Sequence, residues 1–203
     1  LIGIDETLEQ FTSMAAPESR HSSENRFGGL DAPTQGLTVS KLPILMYHRF
    51  TATGEPHTRS YRVAPAAFER QLAYLKQEGF VSVTLEQWGE AMRLRRPLPM
   101  KPVAITVDDG YDDFLLEAWP LLKQYGFTAT VFLVADAVGG SNMWDSTLGE
   151  KIRLMNWDEI AQLKAQGVAF GSHTLSHRPL LGLSPNEVVR ELTRSRQIIE
   201  QRL

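Results

Sequence analysis

Two short stretches hold the residue types that do chemistry: ITVDDGYDDF at 105–114 and SHTLSH at 172–177. The first runs an apolar, strand-like segment into adjacent acids, Asp108 and Asp109. Burying an ionised carboxylate without a partner is costly, so an acid pair at a strand end calls for a cation, a proton or solvent. The second stretch sets His173 and His177 four residues apart. On a helical turn that spacing projects both imidazoles from one side, where two nitrogens can share a cation. Two nitrogens and one carboxylate make a three-ligand set with open positions, the arrangement of catalytic rather than structural zinc. The second carboxylate then stays free to act as a base. Each motif has a blander reading: a histidine pair at the surface, or an acid pair capping a helix. It is their joint occurrence, in a chain with five histidines, that points to a metal site.

Composition narrows the chemistry further. The chain has 203 residues, 42% of them hydrophobic, enough for one core. A net charge of -3 and a pI near 6.0 provide no basic field, which argues against nucleic acid as a partner. With no cysteine, disulfides, thiolate zinc sites and cysteine nucleophiles are excluded, and any metal must be held by His, Asp or Glu. The longest apolar run, TATVFLVADAV, falls short of the ~18–20 residues a membrane span requires, so no transmembrane segment is expected. No basic region followed by an apolar core opens the chain, so no signal peptide is visible. Nothing in the sequence specifies an oligomeric state.

The motifs need elements to position them. Residues 1–40, rich in Ser, Ala, Gly and Pro and without periodicity, read as a poorly ordered extension, with the catalytic domain at 41–203. From Leu42 onward, apolar runs alternate with amphipathic stretches. LPILMY, FVSVT, PVAITV, ATVFLVA and VAFG are the expected strands. Between them, one helix puts Phe68, Leu72 and Leu75 on a single face and ends at Gly79. Thr84 with Gln87, and Asn156 with Glu159, form capping-box signatures for two more. Phe114 to Tyr125 is helical in pattern, weakened by Pro120. Ser184, Pro185 and Glu187 open a last helix, with Val188, Leu192, Ile199 and Leu203 expected along its buried stripe. This alternation favours an α/β fold with a parallel sheet, open or curled toward a barrel, in which chemistry gathers at the carboxyl ends of strands. Both motifs sit at such ends. The last helix stops in mid-pattern at Leu203, so the chain reads as a fragment cut before its final strands.

VAITVDDGYDDF followed by GVAFGSHTLSH closely resembles the first two signature motifs of the polysaccharide deacetylases, the NodB-like carbohydrate esterases. The family's first motif usually reads T-F-D-D-G, and here is Thr106-Val107-Asp108-Asp109-Gly110. Its second reads H-S/T-x-x-H, and here is His173-Thr174-Leu175-Ser176-His177. LPILMYHRF resembles the entry strand of the exopolysaccharide-type members. The resemblance implies a distorted (β/α) barrel lacking its C-terminal strands, with Asp108 as general base and Asp109, His173 and His177 as ligands of a divalent metal. Zinc suits this donor set, and cobalt or nickel are accepted by related sites. The implied reaction removes N-acetyl, less often O-acetyl, groups from a carbohydrate by attack of a water that Asp108 deprotonates. An extracytoplasmic location follows from the family's usual substrates. The family's later Arg/Pro segment and its Leu-x-His do not occur by Leu203, so the chain alone is expected to bind metal but turn over slowly.

Other residues carry weaker signals. His48 ends the first strand and faces the same mouth or serves as a hydrogen-bonded structural histidine. Tyr111 and Trp144 could line a sugar site, or, for Trp144, the core. Asp112 and Asp113 are read as helix caps, with Asp113 also a candidate for supporting the site from behind its ligands, and His21 and His57 as solvated. Three rival readings stand beside the deacetylase: a receiver domain holding magnesium, which leaves SHTLSH unexplained; a carbohydrate-binding module on the same fold; and a hydrolase of cyclic amides.

Overall fold

In the computed structural model the described residues are 42–145 and 151–203, apart from the side chain of His57, so the expected extension at 1–40 lies outside them, as does His21. Five parallel strands form the framework: β1 Ile44–Tyr47, β2 Val81–Ser82, β3 Pro102–Val107, β4 Thr130–Leu133 and β5 Ala169–Ser172. Their order is β1-β3-β4-β5, with β2 paired to the first two residues of β3 and β4 to its last two. Every residue of β3 is buried, as expected of a central parallel strand covered on both faces.

The helices are α1 Pro65–Gln77, α2 Leu85–Leu94, α3 Trp119–Tyr125, α4 Trp157–Ala165 and α5 Pro185–Arg202. On α1, Phe68 and Leu72 are fully buried with Leu75 beside them. Burying side chains of this size is worth about 1.5–3 kcal/mol each. Phe50, Phe68 and Phe114 meet in the same cluster, with ring centroids 4.7 and 6.3 Å apart across Phe50. Three N-termini are closed by reciprocal capping boxes: Thr84 with Gln87, Asn156 with Glu159, and Ser184 with Glu187.

Three expectations are corrected. The segment 114–125 is not one helix: Phe114–Ala118 is a wider π turn in which the Trp119 N–H donates to the Phe114 carbonyl, and α3 starts after it. Pro120, lacking an N–H, is accommodated in the first turn of α3. SHTLSH is a loop, with Thr174 and His177 in left-handed conformations, rather than a helical turn. On α5 the buried residues are Glu191, Ser195 and Ile199, while Leu192 is 48% exposed. Ile199 and Leu203 pack on the core as expected, but Leu192 is displaced from the buried face by Glu191 and Ser195, whose partners lie at the end of β5 and in the loop after it.

Candidate metal centre

The acid motif begins where β3 ends. The Asp108 N–H still donates to Tyr47 O of β1, and the chain then reverses through left-handed Asp109 (φ 74°) and Gly110 (φ 80°). A Cβ on Gly110 would lie 2.8 Å from Leu133 Cδ2, so the turn has room for glycine alone. The strand-like segment 152–155 pins the turn from outside: Met155 N–H donates to Gly110 O, and Asp112 N–H to Arg153 O. This reversal separates the two carboxylates, leaving Asp108 Oδ2 3.9 Å from His48 Nε2 and bringing Asp109 Oδ1 to the histidines.

The histidine loop hangs from the end of β5 and is tied to the chain beyond β4. His173 N–H donates to Leu133 O, Ala135 N–H to Thr174 O and Asp136 N–H to Leu175 O. Thr174 Oγ1 accepts from His177 N–H, closing the loop so that both imidazoles face one point. The same-side projection expected from the spacing is present, produced by this closed loop.

Asp109 Oδ1 lies 3.4 Å from His173 Nε2 and 3.2 Å from His177 Nε2. That oxygen is buried without a hydrogen-bond partner. Four-coordinate zinc with ligand bonds of about 2.0–2.1 Å holds neighbouring ligand atoms roughly 3.3 Å apart, so Asp109 already stands at that spacing from each histidine, and all three donor atoms lie within 4.8 Å of one another. Among the described residues, these three form the His/Asp/Glu group able to hold a metal ion. Burial, helped by the neighbouring His177 and His48, lowers the His173 pKa against the opposing pull of Asp109 and Asp108, which favours the neutral imidazole, the form that binds metal. Asp109, Thr174 and His177 all adopt positive φ, at a cost of about 1–3 kcal/mol each in ordinary backbone. Strain concentrated on two candidate ligands and the residue that ties the loop is what a pre-formed site shows.

Asp108 stands beside this group with its pKa raised, first by burial and further by Asp109, while His173 and His48 oppose the rise. A cavity of about 340 Å³ opens on Asp109 and His177 and is walled by His48, Tyr61, Tyr111 and Trp144. The Trp144 ring lies 4.5 Å from the His177 ring, centroid to centroid. Burial and Asp109 raise the Tyr111 pKa, keeping its phenol protonated. All seven residues singled out from the sequence therefore converge here: Asp108, Asp109, His173 and His177 at the centre, His48, Tyr111 and Trp144 around the cavity. The side chain of His57 is not among those described.

Two readings change. Asp113 makes no capping bond and instead accepts from Arg49 Nε at 2.7 Å, a buried pair whose guanidinium sits 5.0 Å from the Tyr111 ring centre. Asp112 pairs with Arg153 at 3.3 Å. Sequence reading missed Arg49, Tyr61 and Glu191. Arg49 carried a signal, lying next to His48 at the end of a strand; Tyr61, 12 residues later, carried none.

The sequence pattern of the polysaccharide deacetylase family matches residues 95–203. YxkH of Bacillus subtilis strain 168, provisionally named a polysaccharide deacetylase, is 29% identical over 79% of this chain and 52% of its own length. The poly-beta-1,6-N-acetyl-D-glucosamine N-deacetylase of Escherichia coli K12 is 28% identical over 57% of this chain and 18% of its own. The chain thus spans about half or less of these curated relatives. Among solved structures, the Streptococcus pyogenes deacetylase PplD in complex with acetate superposes with a TM-score of 0.65 at 27% identity, covering 80% of this chain and 69% of that one. The matched region carries both motifs and more than half of the residues, and the strands that position them follow the same α/β architecture: the chain belongs to the polysaccharide deacetylase family.

Proposed function

We propose that this chain carries the metal-dependent deacetylation centre of a hydrolase that removes N-acetyl groups from an acetylated amino-sugar polymer. The observation that carries the proposal is the convergence of His173 and His177 on the unpartnered buried oxygen of Asp109, beside a second carboxylate with no ligand role. Asp109, His173 and His177 would hold the cation, with zinc favoured by two imidazoles and one carboxylate. When bound, such an ion supplies Lewis acidity, polarising an acetyl carbonyl and acidifying a water.

The residues do the rest. Asp108, made more basic by burial, accepts the proton of the attacking water. Trp144, half-buried at the cavity wall, offers a flat apolar face of the kind on which sugar rings rest, and Tyr111, itself nearly buried beside it, keeps its phenol protonated. Arg49, clamped to Asp113, packs its guanidinium over the Tyr111 ring and holds it in the cavity wall. The name of the Escherichia coli relative supports poly-N-acetylglucosamine as the first substrate to try. Action outside the cytoplasm fits a polymer of that size, and among the described residues no helix is long and apolar enough to cross a membrane.

The test is divalent-metal content by elemental analysis for the wild type, His173→Ala and Asp109→Asn, followed by acetate release from β-1,6-linked N-acetylglucosamine oligomers. About one metal per chain in the wild type, lost in both variants, together with zinc-dependent acetate release, is expected. A folded wild type that takes up no zinc would sink the proposal. Zinc uptake and oligosaccharide binding without acetate would favour the binding-module reading.

A further inference from the structure

Glu191 lies on α5, fourteen residues beyond His177, and is 5% exposed. A carboxylate on the buried stripe of a helix needs partners. Its partners are all in the histidine loop. Glu191 Oε2 accepts from Leu175 N–H at 3.0 Å and from Ser176 N–H at 2.9 Å, and Oε1 accepts from Ser176 Oγ at 2.7 Å. These three bonds grip the residues between the two histidines. One turn further along α5, the fully buried Ser195 accepts from Ser172 Oγ at 2.6 Å, and Ser172 Oγ in turn accepts from Thr174 N–H.

We propose that Glu191 is a positioning residue for the metal centre: its carboxylate holds the loop 173–177 in the left-handed geometry that aims His173 and His177 at Asp109. The inference rests on the metal-centre reading above and extends it to a residue that touches neither ligand nor cavity. The loop carries two unfavourable backbone conformations, at Thr174 and His177, and would relax away from them without an external hold. The bonds that Thr174 O and Leu175 O accept from Ala135 N–H and Asp136 N–H fix the loop on the β4 side, and Glu191 completes the hold on the α5 side. Outer partners of ligating groups commonly govern metal affinity about 10–100-fold.

The test measures zinc affinity by chelator competition for the whole chain as wild type, Glu191→Ala, Glu191→Gln and Ser176→Ala, with circular dichroism and urea unfolding of each metal-free protein. Glu191→Ala is expected to keep its fold and bind zinc about 10–100-fold more weakly. Glu191→Gln should stay close to wild type, since its amide oxygen can accept both backbone N–H groups while its NH2 donates to Ser176 Oγ. Ser176→Ala, losing one bond of three, should fall between them. A folded Glu191→Ala with wild-type zinc affinity overturns the inference while leaving the metal centre standing. A wild type that binds no zinc overturns both. If Glu191→Ala does not fold, Ser176→Ala decides: weakened zinc binding supports the hold and unchanged binding overturns it.

Discussion

Asp108 and Asp109 are chemically identical neighbours, and the backbone assigns them different surroundings. Left-handed φ at Asp109 turns its carboxylate to the histidines, while Asp108, still tied by its N–H to Tyr47, faces His48. Replacing each by asparagine should therefore give different losses. Asp108→Asn is expected to keep zinc while acetate release falls about 10²–10⁴-fold, the range for a lost general base; Asp109→Asn is expected to lose zinc itself. Paired metal analysis and acetate assays check this, and zinc loss in Asp108→Asn would reverse the roles. Gly110→Ala tests the turn that separates them. Its Cβ would meet Leu133 at 2.8 Å in a left-handed residue, so a destabilisation of roughly 1–3 kcal/mol in urea unfolding is expected. At this scale the sequence was legible in residue type and motif, since ligation chemistry restricts which side chains serve. Orientation was not legible, because it depends on three positive-φ residues that no spacing rule marks.

Elements were readable where local chemistry decides them. All three capping boxes stand at the expected positions because the side chain three residues into the helix and the cap satisfy each other's backbone N–H groups without outside help. The buried face of α5 was read correctly at Ile199 and Leu203 but not at Leu192, because periodicity counts apolar residues, whereas that part of the face is set by Glu191 reaching the loop after β5 and Ser195 reaching Ser172 at the end of that strand. The strength of this contact should depend on pH. Burial of Glu191 favours its neutral form, but the bonds from Ser176 Oγ, Ser176 N–H and Leu175 N–H, with the nearby Arg178 charge, together outweigh burial, and its pKa lies below the ordinary glutamate value. A carboxylate depressed in the folded state stabilises above the unfolded pKa, about 4.3, and loses that contribution as pH falls through the folded value. Metal-free wild type should therefore be more stable than Glu191→Gln at pH 7, with the difference shrinking below about pH 4. Urea midpoints of the two proteins across that range measure it; a constant difference would show that the charge of Glu191 contributes nothing.

Across the whole molecule, the two motifs lie at the carboxyl ends of β3 and β5, with β4 between them. Neighbouring strands are about 4.8 Å apart, so acid and histidines reach toward each other across roughly 10 Å of sheet. The alternation of strands and helices made this placement foreseeable, because parallel sheets gather functional loops at one end. It did not reveal which strands would be neighbours: β2 and β4 both pair with β3, a choice made by tertiary contacts. A cation on Asp109, His173 and His177 would tie β3 to β5 across β4, and a ligand that binds only the folded chain stabilises it by mass action. At free zinc about 100 times its dissociation constant the gain is about 2.7 kcal/mol, which for a domain of this size corresponds to a rise in melting temperature of roughly 5–10 °C. Thermal melts of the wild type with zinc, then with excess EDTA, should show that rise and its reversal. His173→Ala should melt at one temperature under both conditions. A zinc-dependent rise of equal size in His173→Ala would place the binding elsewhere on the chain, and no rise in the wild type would mean that the three donors, close as they stand, do not capture the ion.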